Sequence, residues 1–348
     1  PTIRQAYVAL KGKVIRTEVY GLDHSPNEPY PYTVSETNYQ VSLFQAKGDN
    51  RYAVYMVNPY QNISYNYERN PKDPVVEQDF ALDIDQYGNV LSSCKVYLPR
   101  RDKKITGVTP FPQQSSLKFI LTNDSYVDPV VVKDGNSLTW CHQLWEGKTF
   151  ELTGLDTGGS DYFSFDQLSG EVTDALKNII SYSTEPTSGV KQARLYTWEQ
   201  SYFWDEDPKR KTDYLQAGHT GLHNLLHHFQ TALFDKEFVT NEYKTDKGAV
   251  IDDDTIYQKG GFFFDTSNQY WWNKGLVQNY YGLDGSSDSN YYLATSTENT
   301  FASATQGTAN PQNPSLCIKT GNTYDEYYLK IVELKQFGDN GVDMSHSF

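Results

Sequence analysis

The stretch that decides the fold is DIDQYGNVLSSCKVYLPRR, Asp83–Arg101. Leading into it, Phe80, Leu82 and Ile84 fall at every second position, so that one set of side chains faces one side of an extended strand. The chain then reads Gln86-Tyr87-Gly88-Asn89, and an apolar and polar mixture resumes from Val90 to Leu98. A glycine in this position supplies the positive φ that a tight reversal needs, and asparagine tolerates it. The pattern predicts a hairpin with strands near Gln78–Ile84 and Val90–Leu98, turning at Tyr87, Gly88 and Asn89.

Further short runs of the same kind lie on both sides. Arg4 to Tyr20 alternates loosely and reads as one or two strands. Asn38 to Ala46 alternates more cleanly, and Tyr52–Val57 and Ile63–Glu68 read as strands flanking a turn at Asn58-Pro59. Downstream, Leu117–Leu121, Val130–Val132, Leu138–Leu144, Gln192–Tyr202, Phe262–Phe264, Tyr270–Trp272 and Tyr327–Phe337 are strand-like, with a turn at Thr266-Ser267-Asn268. Phe150–Gly159 reads as loop, and Leu222–Phe234 fits a short helix or a strand. The best helix is Asp166–Tyr182, where Leu168, Val172, Leu176, Ile179 and Ile180 follow a 3.6-residue period and Ser164 stands three before Gln167 as a cap. Many short strands, frequent turns and one good helix predict a mainly β fold, a large antiparallel sheet assembly with one or two short helices. No alternation of strand and helix supports a doubly wound sheet.

Composition agrees. Among 348 residues, 38% are apolar and 15% aromatic, with 28 tyrosines, which suits half-buried sheet faces and excludes a disordered chain. The formal charge of −14 opposes nucleic-acid phosphates and anionic membranes. The three cysteines, Cys94, Cys141 and Cys317, are widely spaced and odd in number, so neither a disulfide framework nor a zinc ribbon is expected. No window approaches the roughly 20 apolar residues of a membrane span. The length fits two domains, 1–150 and 151–348, the second carrying the helix near 166–182. The Pro-Thr-Ile start and polar end suggest a piece of a larger chain.

Few constellations carry chemistry. His219, His223 and His227 stand at i, i+4 and i+8, which on a helix would turn three imidazoles toward one metal ion. Thr220 and Asn224 follow the first two, so no embedded glutamate base exists, and Gly218 and Gly221 oppose a helix. Asp156-Thr157-Gly158 is a single copy of a turn that an aspartic protease needs twice. Asp83 and Asp85 open a calcium-like loop, but Tyr87 and Cys94 occupy ligand positions. Asp252-Asp253-Asp254 reads as a solvated loop. The pairs Trp271-Trp272, Tyr280-Tyr281 and Tyr291-Tyr292 could stack on sugars, although neighbours on a strand point to opposite faces and so suit a sheet covered on both sides. No cofactor is expected. Chemistry alone therefore leaves open a secreted β-sheet carbohydrate-binding module and, less favoured, a His-cluster metal-dependent hydrolase.

The runs RTEVYGLD (Arg16–Asp23), PYTVSET (Pro31–Thr37), SYNYERNPKDP (Ser64–Pro74) and the Asp83–Arg101 stretch together resemble the B component of bacterial Tc (toxin complex) insecticidal toxins, in its middle/C-terminal region. The likeness is strongest from Ala6 to Arg101. It continues through KQARLYTWEQSYFWD (Lys191–Asp205) and LLHHFQTALF (Leu225–Phe234), and a polar stretch at Ala302–Ser315 departs from it. The unit strand, D-x-x-G-N, strand around Asp85–Asn89 also has the form of an Rhs/YD repeat. The resemblance implies a non-enzymatic wall segment of a secreted β-shell, formed with the C component around a toxic cargo. It implies docking to the pore-forming A component through another region of the parent chain, and no membrane contact by this segment. The autoprotease aspartates of such assemblies belong to the C component.

Overall fold

A computed structural model describes residues 2–100, 111–134, 137–205, 214–242, 244–245, 248–249, 257–258, 261–280, 294–300, 317–324, 330–337 and 346–347. Its strands are β1 Arg16–Val19, β2 Thr33–Gln45, β3 Val54–Asn66, β4 Val75–Ile84, β5 Val90–Tyr97, β6 Lys118–Tyr126, β7 Val130–Asp134, β8 Ser137–Cys141, β9 Leu144–Thr153, β10 Ile179–Ile180 and β11 Gln192–Phe203. They continue with β12 Leu226–Asp235, β13 Lys244–Thr245, β14 Gly248–Ala249, β15 Phe262–Asp265, β16 Tyr270–Lys274, β17 Val277–Tyr280, β18 Ala294–Thr300, β19 Cys317–Tyr324, β20 Ile331–Phe337 and β21 His346–Ser347. The helices are α1 Thr2–Ala9, α2 Phe165–Ala175 and α3 Lys236–Glu242.

A 12-stranded sheet runs β1-β2-β3-β4-β5-β6-β9-β11-β12-β16-β15, with β10 beside β11. A five-stranded sheet runs β17 to β21 in sequence order, and β7-β8 and β13-β14 are two-stranded. The mainly β, antiparallel architecture expected from the sequence is therefore present. By compactness the chain forms two units: residues 1–123 with 149–180 and 184–196, and residues 124–148 with 181–183 and 197–348.

In the first unit, one face of the sheet supplies Val76, Phe80, Cys94, Val96, Phe119 and Leu121, all nearly fully buried. They lie at every second position, as the pleat demands. The segment that returns across residues 155–176 brings Leu155, Phe163, Leu168, Val172 and Ala175 into the same core. Gln78 sits among them, buried, and ties the two layers: its amide donates to the Phe163 carbonyl at 3.0 Å and accepts the Phe163 N–H at 3.0 Å. Phe119 meets Phe163 edge to face, with ring centres 5.5 Å apart.

Four local readings change. Residues 2–9 are helical, not extended; only Arg16–Val19 of that stretch is a strand. Asn58-Pro59 is no turn, because β3 runs through it. Proline is tolerated there because Pro59 lies past the last β3–β4 pair, Gln61↔Phe80, and Tyr60 is an extra residue between the pairs Tyr39↔Pro59 and Asn38↔Gln61. The expected loop at Phe150–Gly159 begins as strand, since β9 extends to Thr153 and buries Phe150 and Leu152. The helix is shorter than 166–182. Ser164 caps its start, accepting the Gln167 N–H at 3.3 Å, and it ends at Leu176. Ile179 and Ile180 then pair with Ala193 and Arg194, where β-branched side chains sit better than in a last helical turn.

Candidate functional site

Among the described residues, a connected group of buried and half-buried polar side chains lies in the second unit, on β9, β11, β12 and β16. Its origin is a single irregularity. Tyr202 pairs with His228 and Phe203 with Leu226, so one residue of β12, His227, has no opposite number on β11. Such a bulge turns two successive side chains to one side of a strand instead of opposite sides. The imidazoles of His227 and His228 therefore lie side by side, their Nδ1 atoms 2.7 Å apart, and the two residues are 3% and 2% exposed. His228 stacks on Tyr202, the rings 4.9 Å apart and 7° from parallel. Trp204 and Tyr214 close over His227 at 4.4 and 4.8 Å between ring centres.

From this pair a chain of amides leads to a carboxylate. Glu146 Oε1 accepts Trp198 Nε1–H at 2.7 Å and Gln200 Nε2–H at 2.8 Å. Gln200 Oε1 accepts Gln230 Nε2–H at 2.9 Å, and the Gln230 side chain favours a proton on His228. Lys148 holds the same carboxylate from Oε2 at 3.1 Å and lies 4.3 Å from the centre of the Trp198 ring. Burial first, then the nearby Lys274 and His227, push the His228 imidazole down to about 3. Burial likewise raises Tyr202, and pushes Tyr270 up to about 12 with help from Asp235.

The three histidines at i, i+4 and i+8 do not share a helix face. His219 and His223 are exposed and lie in turns, whereas His227 is buried on β12. Among the described residues no group of three His, Cys, Asp or Glu is placed to hold a metal ion. The sequence pointed to the right residue for the wrong reason: His227 pairs with His228, and the Phe203/Leu226 register that makes this so is invisible in the residue spacing.

Trp271 and Trp272 are 2% and 0% exposed, so neither offers a ring face to a sugar. They point to opposite faces, Trp271 against Tyr257 and Phe264, and Trp272 against Trp198 at 4.8 Å. Tyr280 is half-buried; Tyr281, Tyr291 and Tyr292 lie outside the described residues, as do Asp252–Asp254 and Ala302–Ser315. The Asp156 carboxylate accepts the Gly158 N–H at 3.2 Å within its own turn, a local task rather than half of a catalytic pair.

At the β4–β5 reversal, Gly88 has φ +91°. Asp85 pins the turn. Its Oδ1 accepts the N–H groups of Tyr87 and Asn89 at 2.8 and 2.9 Å, and its Oδ2 accepts the Asn89 side-chain amide at 2.9 Å. The polar face of this hairpin carries Lys95 between Glu77, at 2.8 Å, and Asp79, at 3.9 Å. These groups set geometry; no nucleophile and base are joined here.

Comparison with known proteins identifies the frame in which these residues sit. Residues 5–129 match the insecticide toxin TcdB middle/C-terminal region. The resemblance carried by the motifs between Arg16 and Arg101 is thereby borne out. No curated protein matches the chain. Among solved structures, the Photorhabdus luminescens Tc holotoxin pore superposes with a TM-score of 0.64 at 19% identity, over 96% of this chain and 14% of that one. TcdB2-TccC3 gives 0.63 at 19% identity, over 97% and 17%. TcdB2-TccC3-Cdc42 gives 0.61 at 19% identity, over 96% and 16%. The chain thus spans about one-sixth of the length of these structures and shares their fold along nearly all of its own length.

Proposed function

We propose that this chain is a wall segment of a toxin-enclosing β-shell, the middle/C-terminal part of a Tc toxin B component, and that it carries no catalysis of its own. Residues 1–150 would be the middle/C-terminal-like region and residues 151–348 a further shell segment. Its partners would be a C component and the enclosed cargo, with the pore-forming A component docking through another region of the parent chain, in a secreted assembly. The observation that carries the reading is the coincidence of the match over residues 5–129 with a shared fold over 96–97% of the chain. The buried Trp271-Trp272 pair supports it, because a wall needs a sheet covered on both faces and a sugar platform needs exposed rings. The turn-bound Asp156 and the dispersed His219, His223 and His227 support the non-catalytic part.

The test is a paired assay on the assembled complex. Trp271 and Trp272 are both replaced by alanine, and two quantities are read: protection of the cargo from added protease, and activity of the cargo after release. Lost protection with unchanged released activity supports a wall. Intact protection with lost turnover of an added substrate would sink the proposal.

A further inference from the structure

We propose that His227 and His228 form an acid-sensitive latch at the β11–β12 bulge, closed while both imidazoles share one proton between their Nδ1 atoms and opened when His228 takes a second proton. The inference rests on the second unit alone and stands whether or not the chain is a shell wall.

The direction of every hydrogen bond follows from its far end. Glu146, as a carboxylate, can only accept, so the Gln200 amide must turn its N–H₂ toward it and its oxygen away. That oxygen receives Gln230 Nε2–H, which also reaches the Tyr202 hydroxyl at 3.1 Å. Both Gln230 bonds use its N–H₂, which leaves its carbonyl outside them, and its side chain favours a proton on His228. Since His228 Nδ1 is engaged with His227 at 2.7 Å, we place that proton on Nε2. A neutral His228 protonated on Nε2 has a bare Nδ1, and His227 must be the donor across the 2.7 Å gap. A second proton on His228 would set two N–H groups head to head there, where the two residues are only 3% and 2% exposed and little water can dissipate the charge.

The surroundings reinforce this. β11 presents Tyr202 to His228, the segment before β12 presents Tyr214 at 5.0 Å between ring centres, β12 presents His227, and β16 presents Lys274. Lys274 and His227 both oppose a proton on His228. Glu146 lies two neutral amides away, beyond Gln200 and Gln230. The sign is fixed: the folded state keeps His228 neutral down to about 3, whereas an unfolded histidine gains its proton near roughly 6.5. The latch is therefore fully closed above that pH and loses hold as pH falls below it, its opening equilibrium rising about tenfold per pH unit for each histidine so affected.

Two measurements on the 348-residue chain test this. The first is a long-range nitrogen-15 spectrum of labelled histidines between pH 7.5 and 5. We expect His228 to stay neutral with its proton on Nε2 across this range. A His228 that gains a second proton within it, or carries its proton on Nδ1, overturns the proposal. The second is hydrogen exchange in peptides covering 198–203 and 226–231, corrected for chemical exchange, in the parent and in His228→Phe, which keeps a flat ring on Tyr202. Opening that steepens below pH 6.5 in the parent and is flat in the variant is expected. An equal slope in both overturns it; should the variant not fold, the spectrum of the parent decides alone.

Discussion

At Gly88 the backbone is held at φ +91°, and a Cβ there would stand 2.4 Å from the Met56 methyl. The methyl can move, but the positive φ cannot be relieved without undoing the Asp85 bonds. Gly88→Val is expected to cost about 1–3 kcal/mol in urea denaturation. Gln78 is a different kind of residue-scale dependence. Replacing it by Leu preserves volume yet strands the buried N–H and C=O of Phe163, and the expected loss is about 2–4 kcal/mol by the same measurement. Cys94 is 1% exposed, and burial pushes its thiol up to about 12. Peptide mapping after iodoacetamide at pH 8 should find Cys94 unmodified in the folded chain and alkylated in urea. Appreciable labelling without denaturant would contradict the burial.

At the scale of elements, α2 and β4 make the same point from two sides. α2 is amphipathic, and Leu168 and Val172 seal the sheet face that β4 presents through Val76 and Phe80. Leu168→Ala removes a fully buried side chain and leaves a cavity, with an expected cost of about 2–5 kcal/mol. Ser164→Ala removes only the cap and should cost about 1 kcal/mol. Thermal unfolding of both variants checks the ranking; equal losses would mean that α2 is held by its cap and not by its apolar face. β12 shows how an element can be read correctly in part. Its alternation is interrupted twice, at His227 and at Leu233, where the pairs Ala232↔Trp272 and Phe234↔Trp271 skip a residue. Those two interruptions explain why the period of LLHHFQTALF does not choose between a strand and a helix.

For the whole molecule, the excess of 44 acidic over 30 basic residues sets a pI near 4.9. Mutual repulsion keeps copies apart at neutral pH and vanishes near that value. Turbidity of the purified chain should peak near pH 5 and fall on either side, with salt lowering the repulsion at pH 7.5. A flat profile would mean that surface charge does not govern association. The apolar residues left exposed near the sheet's β1 edge, Ile15, Val19 and Leu22 among them, are where such association would begin.

The sequence by itself determined the class of the fold, the β4–β5 reversal, the start of α2 and the likeness to the TcdB middle/C-terminal region. These depend on signals a few residues long: a glycine that alone accepts a positive φ, a serine three before a glutamine, apolar residues at every second position. What escaped it depends on partners distant in the chain. Pro59 is a turn signal until β2 offers a strand with one residue fewer to pair with. Ile179 and Ile180 continue a helical period until Ala193 and Arg194 offer a ladder. The three spaced histidines suggest a helix face, whereas the site that forms joins His227 to its neighbour His228. Only tertiary structure decided that, because a bulge is a count between two strands, and neither strand carries the count in its own residues.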